Sequence, residues 1–540
     1  MTFGTTDGVI GLLLTNVRIA TVTSDESGRT STPSAPALND DDVARLRDAL
    51  ANARYTVDAV HELLGERASS ALNRNATIPG QLALTGDTPL ETLTRLWRLQ
   101  LPVPANAIRA ALPAGLPLEK LVEGGLLRVD GGDRADSGGG GGGGLVSALV
   151  DIRPYADDTG DWWVVADLTP GLDGRSPSIP EDHVLGLNAA STTLAQLTVR
   201  RPARRAFDLG TGCGVQALHL ARHCDEVVAS DVNSRALALT SLTARLNGID
   251  VDLRSGDLYA PVAGEHFDLI ATNPPFVVSP GGRHVYRDSG LAGDDVTRRV
   301  VVDGAHHLAP GGILQSLGNW MHVRGQDWRE RVGSWIDATG CDAWVIQREV
   351  QDPAEYIELW LRDSGESSGP AYERRYREWL TWFDENDVEA IGFGWINLRA
   401  AGTRNTSVRI EEWPHAVEQP VAPHIARWFD RSETLRVDDA ELLTTHLAVA
   451  DDVMLEQVGQ PGEEDPEHLV LRQQHGLRRA RASTTAESGF VGACDGSLPV
   501  GVIVDALAQV LDVDASSLRD DLLPRIRSLT QEGFLISHHR

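Results

Sequence analysis

Phe207-Asp208-Leu209-Gly210-Thr211-Gly212-Cys213-Gly214 leads from an apolar strand-like segment into a helical one through three alternate glycines. Glycine tolerates positive φ and lets a backbone pass close to a ligand. A dinucleotide fingerprint would set its third glycine at position 215, which here is Val215. Taken alone, the segment also reads as a tight strand-to-helix turn with no ligand.

Outward from this loop, short apolar runs alternate with helical spacings. Residues 206–209, 226–230, 251–253, 267–272 and 312–317 are predicted strands, and 341–348 with 391–398 a closing pair. That alternation implies an α/β fold with a doubly wound, mostly parallel sheet of seven strands. A helix is expected at 191–197, and a long tryptophan-rich helical stretch at 356–383. Its aromatics are expected to pack in the core.

Two acidic positions follow the strand ends. Asp231 ends the second strand, 21 residues after Gly210, where a carboxylate can accept bonds from both hydroxyls of a ribose. Helix N-capping is its competing role, although Asn233 or Ser234 could cap instead. Ser255-Gly256-Asp257-Leu258 follows the third strand.

The fourth strand ends in Ile270-Ala271-Thr272-Asn273-Pro274-Pro275-Phe276. An amide or aromatic amino nitrogen is a poor nucleophile because its lone pair is delocalised. The Asn273 side-chain oxygen and the Pro274 carbonyl can each accept one of its hydrogens, pyramidalising the nitrogen and aiming its lone pair. Two prolines fix the backbone and offer no competing donor, and Phe276 gives a flat acceptor a face to stack on. The catalysis implied is orientation and preorganisation rather than strong base chemistry.

In this order and spacing, residues 188–320 resemble the class I S-adenosylmethionine-dependent methyltransferases of the small-domain family. That family includes the release-factor glutamine-N5 methyltransferases and several ribosomal or transfer RNA base methyltransferases. The resemblance implies S-adenosylmethionine as cofactor. Gly210, Thr211, Gly212 and Gly214 would border its methionine part with Asp208 nearby, Asp231 would lie at the ribose, and Val232 would also touch the cofactor. Asp257 would take the adenine amino group, Leu258 the ring, and Asn273 would touch both cofactor and acceptor. Asn273, Pro274, Pro275 and Phe276 would form the catalytic motif. Tyr286-Arg287-Asp288-Ser289-Gly290-Leu291-Ala292-Gly293 and Leu308-Ala309-Pro310-Gly311-Gly312 fit the same group. The run through Val277-Val278-Ser279-Pro280 is nearest the eukaryotic and archaeal glutamine enzymes, which usually carry tyrosine where this chain has Phe276. Phenylalanine is common in the RNA guanine-N2 and adenine-N6 enzymes.

The 540-residue chain is too long for one core. Residues 1–40 are expected as a disordered leader, and 41–180 as a helical or winged-helix-like domain with a glycine-rich loop at 138–144 and a hairpin at 145–153 and 162–168. The methyltransferase domain is expected at 181–405. A winged-helix-like domain is expected at 406–540, with helices 497–511 and 518–532, a strand at 534–537 and Gly533 as helix C-cap. No apolar run reaches membrane-spanning length, and a cytoplasmic location is expected. The four cysteines have no metal-ligand spacing, so no metal is expected.

A net charge of −28 argues against broad attachment to nucleic-acid backbones. Arg472, Arg478, Arg479 and Arg481 form a dense basic cluster that a solvated loop would also explain. The acceptor is thus read as macromolecular: first a glutamine side chain of a translation-associated protein, alternatively an adenine or guanine base of rRNA or tRNA. A cofactor-stabilised binding module without turnover is disfavoured by the intact Asn273-Pro274-Pro275-Phe276. A nicotinamide dehydrogenase is disfavoured by Val215 and by the lack of a recognisable tyrosine–lysine pair.

Overall fold

A computed structural model describes residues 35–130, 144–174, 179–281, 292–363, 368–403, 405–460 and 466–538. The expected leader up to 34, glycines 138–143, residues 286–291 and the acidic 463–465 lie outside the described residues. The chain falls into two units: 1–195, 201–402 and 409–414, and then 196–200, 403–408 and 415–540.

The first unit is built on one large sheet, whose strands are labelled here in chain order. They are β1 Ala203–Leu209, β2 Cys224–Asp231, β3 Asp252–Ser255, β4 Phe267–Thr272, β5 Leu308–Val323, β6 Asp342–Gln351, β7 Val388–Arg399 and β8 Val408–Glu412. Their order across the sheet is β8-β6-β7-β5-β4-β1-β2-β3. The five strands from β5 to β3 run parallel, and β7 lies antiparallel between β5 and β6. This is the α/β architecture expected, with all seven expected strands present. The count is corrected to eight, because residues 408–412, expected in the next domain, extend the sheet edge beside β6. Parallel strands covered on both faces need apolar side chains on both, and Phe207, Ile270 and Leu314 are fully buried.

The amino-terminal region shares a core with the large sheet's helices. Leu46, Leu50, Val60 and Leu64 of helices Asp40–Asn52 and Val57–Leu72 belong to one apolar cluster with Val215, Leu218, Leu239 and Leu242. A hairpin of Asp151–Asp157 and Gly160–Ala166 lies in the same cluster. The Trp163 N–H donates to Asn247 Oδ1 at 2.9 Å, and the Asn247 side chain donates back to the Trp163 carbonyl at 2.8 Å. The expected hairpin partner 145–153 divides: Leu145–Ala148 instead joins a small sheet between Val103–Pro104 and Leu127–Asp130. Helices Ala105–Ala111 and Leu118–Glu123 connect the outer two of those strands.

The second unit holds a three-stranded sheet in the order Asp495–Pro499, His446–Val449, Leu535–Ser537 and another of Val453–Val458, His468–Gln473 and Ala480–Ser483. Its helices include Ala422–Thr434, Val500–Leu511 and Ala515–Glu532. The expected helix start at 497 is corrected to 500, since residues 495–499 pair as a strand. Gly533 caps the last helix in the left-handed region, φ +87°, as expected. Among the described residues, no helix is long and apolar enough to cross a membrane.

Candidate active site

The order of the large sheet reverses between β1 and β4, which opens a crevice at the carboxyl ends of neighbouring strands. The glycine loop leaves β1 there. The Gly210 and Thr211 N–H groups both donate to the Ser230 carbonyl, at 2.9 and 3.0 Å, which turns the chain sharply. Gly210, Gly212 and Gly214 have φ of +72°, +57° and +85°, which side chains resist. Their surroundings differ. A Cβ at Gly214 would lie 3.1 Å from Thr240 Cγ2, whereas one at Gly210 or Gly212 would meet nothing within 4 Å. Gly214 is therefore glycine for conformation and packing, while Gly210 and Gly212 border open space.

Asp208 lies beneath the loop, buried, and its Oδ2 accepts from Thr211 Oγ1 at 2.7 Å and from the Ala217 N–H at 3.1 Å. Burial pushes its carboxyl up to about 7, with a further rise from the Asp231 charge, against the lowering effect of those two bonds. The Thr211 hydroxyl is committed to this contact. Cys213 is buried, and burial pushes its thiol up to about 12, in line with a small side chain that simply fits.

Asp231 ends β2 facing the loop. Its Oδ2 accepts the Gly212 N–H at 3.0 Å and its Oδ1 the Asn233 N–H at 2.9 Å. Burial raises its carboxyl above the usual range, opposed by these backbone bonds. The competing capping role falls to Asn233, whose side chain accepts from the Arg235 N–H to start helix Ser234–Leu246. Beside it Val232 is 49% exposed, an apolar side chain outside the core at a strand end. The Gly256 N–H donates to the Asp231 carbonyl at 3.2 Å, joining the turn after β3 to the same rim. Asp257 is exposed, and Leu258 is half-buried at a positive φ of +44°.

β4 is tied to β1 where the fourth motif begins, the Thr272 hydroxyl donating to the Leu209 carbonyl at 2.9 Å. The next residue carries the sharpest observation in the site: Asn273 Oδ1 is buried and accepts no hydrogen bond from the described residues. Such an atom forfeits its hydration for nothing unless a ligand supplies a donor. Pro274 is buried, and Phe276 is half-buried, its ring edge-on to Trp360 with centroids 6.5 Å apart.

Sequence reasoning missed Tyr356, which it expected only as one packing aromatic among several. Tyr356 is fully buried in helix Pro353–Asp363, and its hydroxyl accepts the Val278 N–H at 2.8 Å and Asn319 Nδ2 at 3.0 Å. One side chain thereby joins the segment after the proline motif to β5. Nothing in residue spacing marks it, because both partners are distant in sequence.

Residues 185–324 match the family model described as methyltransferase small domain. Residues 52–137 and 426–537 match two families described only as domains of unknown function. The chain is 33% identical over 157 residues to a ribosomal protein uL3 glutamine methyltransferase of Bradyrhizobium diazoefficiens, covering 26% of this chain and 49% of that protein. It is 33% identical over 149 residues to a release factor glutamine methyltransferase of Xylella fastidiosa, covering 24% and 54%. It is 32% identical over 115 residues to a ribosomal RNA small subunit methyltransferase C of Alcanivorax borkumensis, covering 21% and 32%. The chain thus spans from about a third to about half of the length of these relatives. The matched stretch, which carries β1 to β5 of the large sheet, is a methyltransferase small domain.

Proposed function

We propose that the protein is an S-adenosylmethionine-dependent N-methyltransferase whose acceptor is a glutamine side chain of a translation-associated protein. The observation that carries this is Asn273 Oδ1 just beyond β4, buried and without a donor among the described residues, one residue before Pro274. An acceptor oxygen held in this way fits a planar nitrogen that has hydrogens to donate.

The residues present suit the cofactor. Gly210 and Gly212 leave room that any Cβ would enter, Asp231 offers a carboxylate to a ribose, and Val232 presents an exposed apolar face for an adenine. Asp257 and Leu258 would complete the adenine end. When bound, S-adenosylmethionine supplies an electrophilic methyl group. The chain's own task is to hold the acceptor nitrogen: Asn273 Oδ1 and the Pro274 carbonyl each accept a hydrogen bond from one of its N–H groups, which localises the lone pair. Pro274 and Pro275 keep those oxygens fixed, and Phe276 covers one face of the amide plane. Most of the gain is positional.

Support for a protein acceptor comes from the two relatives named for glutamine methylation and from a net charge of −28. An RNA base is the second reading, favoured by Phe276 and by the relative named for ribosomal RNA. The amino-terminal order of helix, strand, two helices and two strands, and the helix pair and strand that close the chain, support winged-helix-like flanks. The test is to label an extract lacking this protein with purified enzyme and radioactive S-adenosylmethionine. Label that survives ribonuclease and is lost to protease supports the glutamine reading, and the reverse pattern replaces it with the RNA base.

A further inference from the structure

β5 runs on past the end of β4, and its extension carries a second bare acceptor. Thr272, the last residue of β4, pairs with Ser316 of β5. Asn319 lies three residues further along β5, opposite Phe393 of β7. It is 1% exposed, and its Oδ1 meets no donor among the described residues. Asn273 Oδ1 shows the same deficit one strand away.

The neighbours of Asn319 fix the side it faces. A Cβ at Gly318 would lie 2.7 Å from Thr297 Cγ2, and the Trp320 ring stacks on Trp328 at 5.7 Å. Both therefore face helices Asp295–Ala305 and Trp328–Asp337. Side chains alternate along a strand, which turns Asn319 to the opposite side. There its Nδ2 donates to the Tyr356 hydroxyl at 3.0 Å, and the same oxygen accepts the Val278 N–H at 2.8 Å. One oxygen thus holds the Asn319 amide beside the segment that follows the two prolines. Pairing with Ser316 puts Thr272 on the Gly318 side, so alternation carries the next residue, Asn273, to the Asn319 side. With strands about 4.8 Å apart and a rise of about 3.3 Å per residue, the two asparagines stand roughly 8 Å apart at Cα.

A buried amide that spends one branch on a hydroxyl and leaves the other bare gives up hydration without return. We propose that Asn319 is a second acceptor-binding residue, whose Oδ1 takes the main-chain N–H of the glutamine to be methylated. The proposal rests on the glutamine reading above. Asn273 Oδ1 and the Pro274 carbonyl occupy both N–H groups of the side-chain amide, and a glutamine side chain has no third. Its next donor is the main-chain N–H, one side-chain length away, which suits the spacing of the two asparagines. This contact is the same before and during methyl transfer, so it contributes to acceptor binding and not to the rate of the step. Asn319 thereby selects a glutamine held in a peptide over a bare amide.

The probe is ribonuclease-treated extract lacking this protein, titrated as acceptor with radioactive S-adenosylmethionine and the full-length enzyme. Asn319→Leu, similar in size, should raise the half-saturating amount of extract about tenfold and keep the saturating rate within about threefold. Asn319→Asp keeps an acceptor oxygen and should recover most of that loss. S-adenosylmethionine affinity by calorimetry should be unaltered in both variants, which also reports an intact fold. Acetyl-glutamine methylamide should compete against the native enzyme about tenfold better than its ester analogue, in which oxygen replaces the main-chain N–H. The two should compete equally against Asn319→Leu. The proposal is overturned if amide and ester compete alike against the native enzyme, or if Asn319→Asp is no better than Asn319→Leu. It is likewise overturned if Asn319→Leu loses saturating rate rather than affinity. Native labelling that ribonuclease abolishes refutes the glutamine reading itself, and the Asn319 contact falls with it.

Discussion

The Tyr356 hydroxyl accepts the Val278 N–H at 2.8 Å, so a helix inserted between β6 and β7 holds the chain that leaves the proline motif. The same oxygen takes Asn319 Nδ2 from β5. Tyr356→Phe keeps the ring and removes the acceptor of two buried donors, at a cost of about 1–3 kcal/mol each if unrelieved. We expect methyl transfer to fall about 10- to 100-fold, because misplacement of about 1 Å has that effect, with S-adenosylmethionine affinity within about twofold. Calorimetry beside single-turnover kinetics checks the split; equal losses in both would show a general packing role instead.

Asn273→Ala removes the unpartnered oxygen and should abolish measurable transfer while leaving the fold and cofactor affinity near normal. Because Oδ1 accepts no bond from the described residues, its loss should cost little thermal stability. A variant that turns over its true substrate at the native rate would refute the assigned role.

Asp231→Ala should weaken S-adenosylmethionine binding strongly, each charge-assisted bond to a ribose hydroxyl being worth about 1.5–3 kcal/mol. It also frees the Gly212 N–H that Oδ2 accepts, which loosens the glycine loop. Unchanged affinity by calorimetry would remove Asp231 from the cofactor site.

Asp208 gives a pH signature. Its carboxyl is held at about 7 in the fold against 3.8 as the reference value. Between those values the folded state keeps a proton that the unfolded chain releases. Stability therefore declines as pH rises through this window, by about 1.4 kcal/mol per pH unit, and the penalty is complete above pH 7. Asp208→Asn supplies an oxygen for the Thr211 and Ala217 donors without the buried charge. Its melting temperature should exceed the native one at pH 8 and match it near pH 4; a gain of equal size at both would exclude this cause.

The large sheet was legible because parallel strands buried on both faces read as unbroken apolar runs, as 267–272 does. β8 was not, since 408–412 alternates charged and apolar residues at a half-exposed edge. The break at 149–150, which sends 145–148 and 151–157 to different sheets, is set by pairing partners rather than by local pattern. Glycine spacing brought out Gly210, Gly212 and Gly214 together, but only the folded surroundings divide the first two from the third. Tyr356 escaped notice because the backbone it holds, at Val278, lies 78 residues away.

Because Val215, Leu218 and Leu239 sit in one apolar cluster with Leu46 and Val60, the loop that would hold the methyl donor rests on helices seated among the first hundred residues. The matched stretch 185–324 excised alone would bare that seam to water and aggregate. In the whole protein the linkage runs the other way too. A nucleoside ligand gripped at Asp231 should slow amide exchange in helices Asp40–Asn52 and Val57–Leu72, so the amino-terminal helices would report on donor occupancy without touching it.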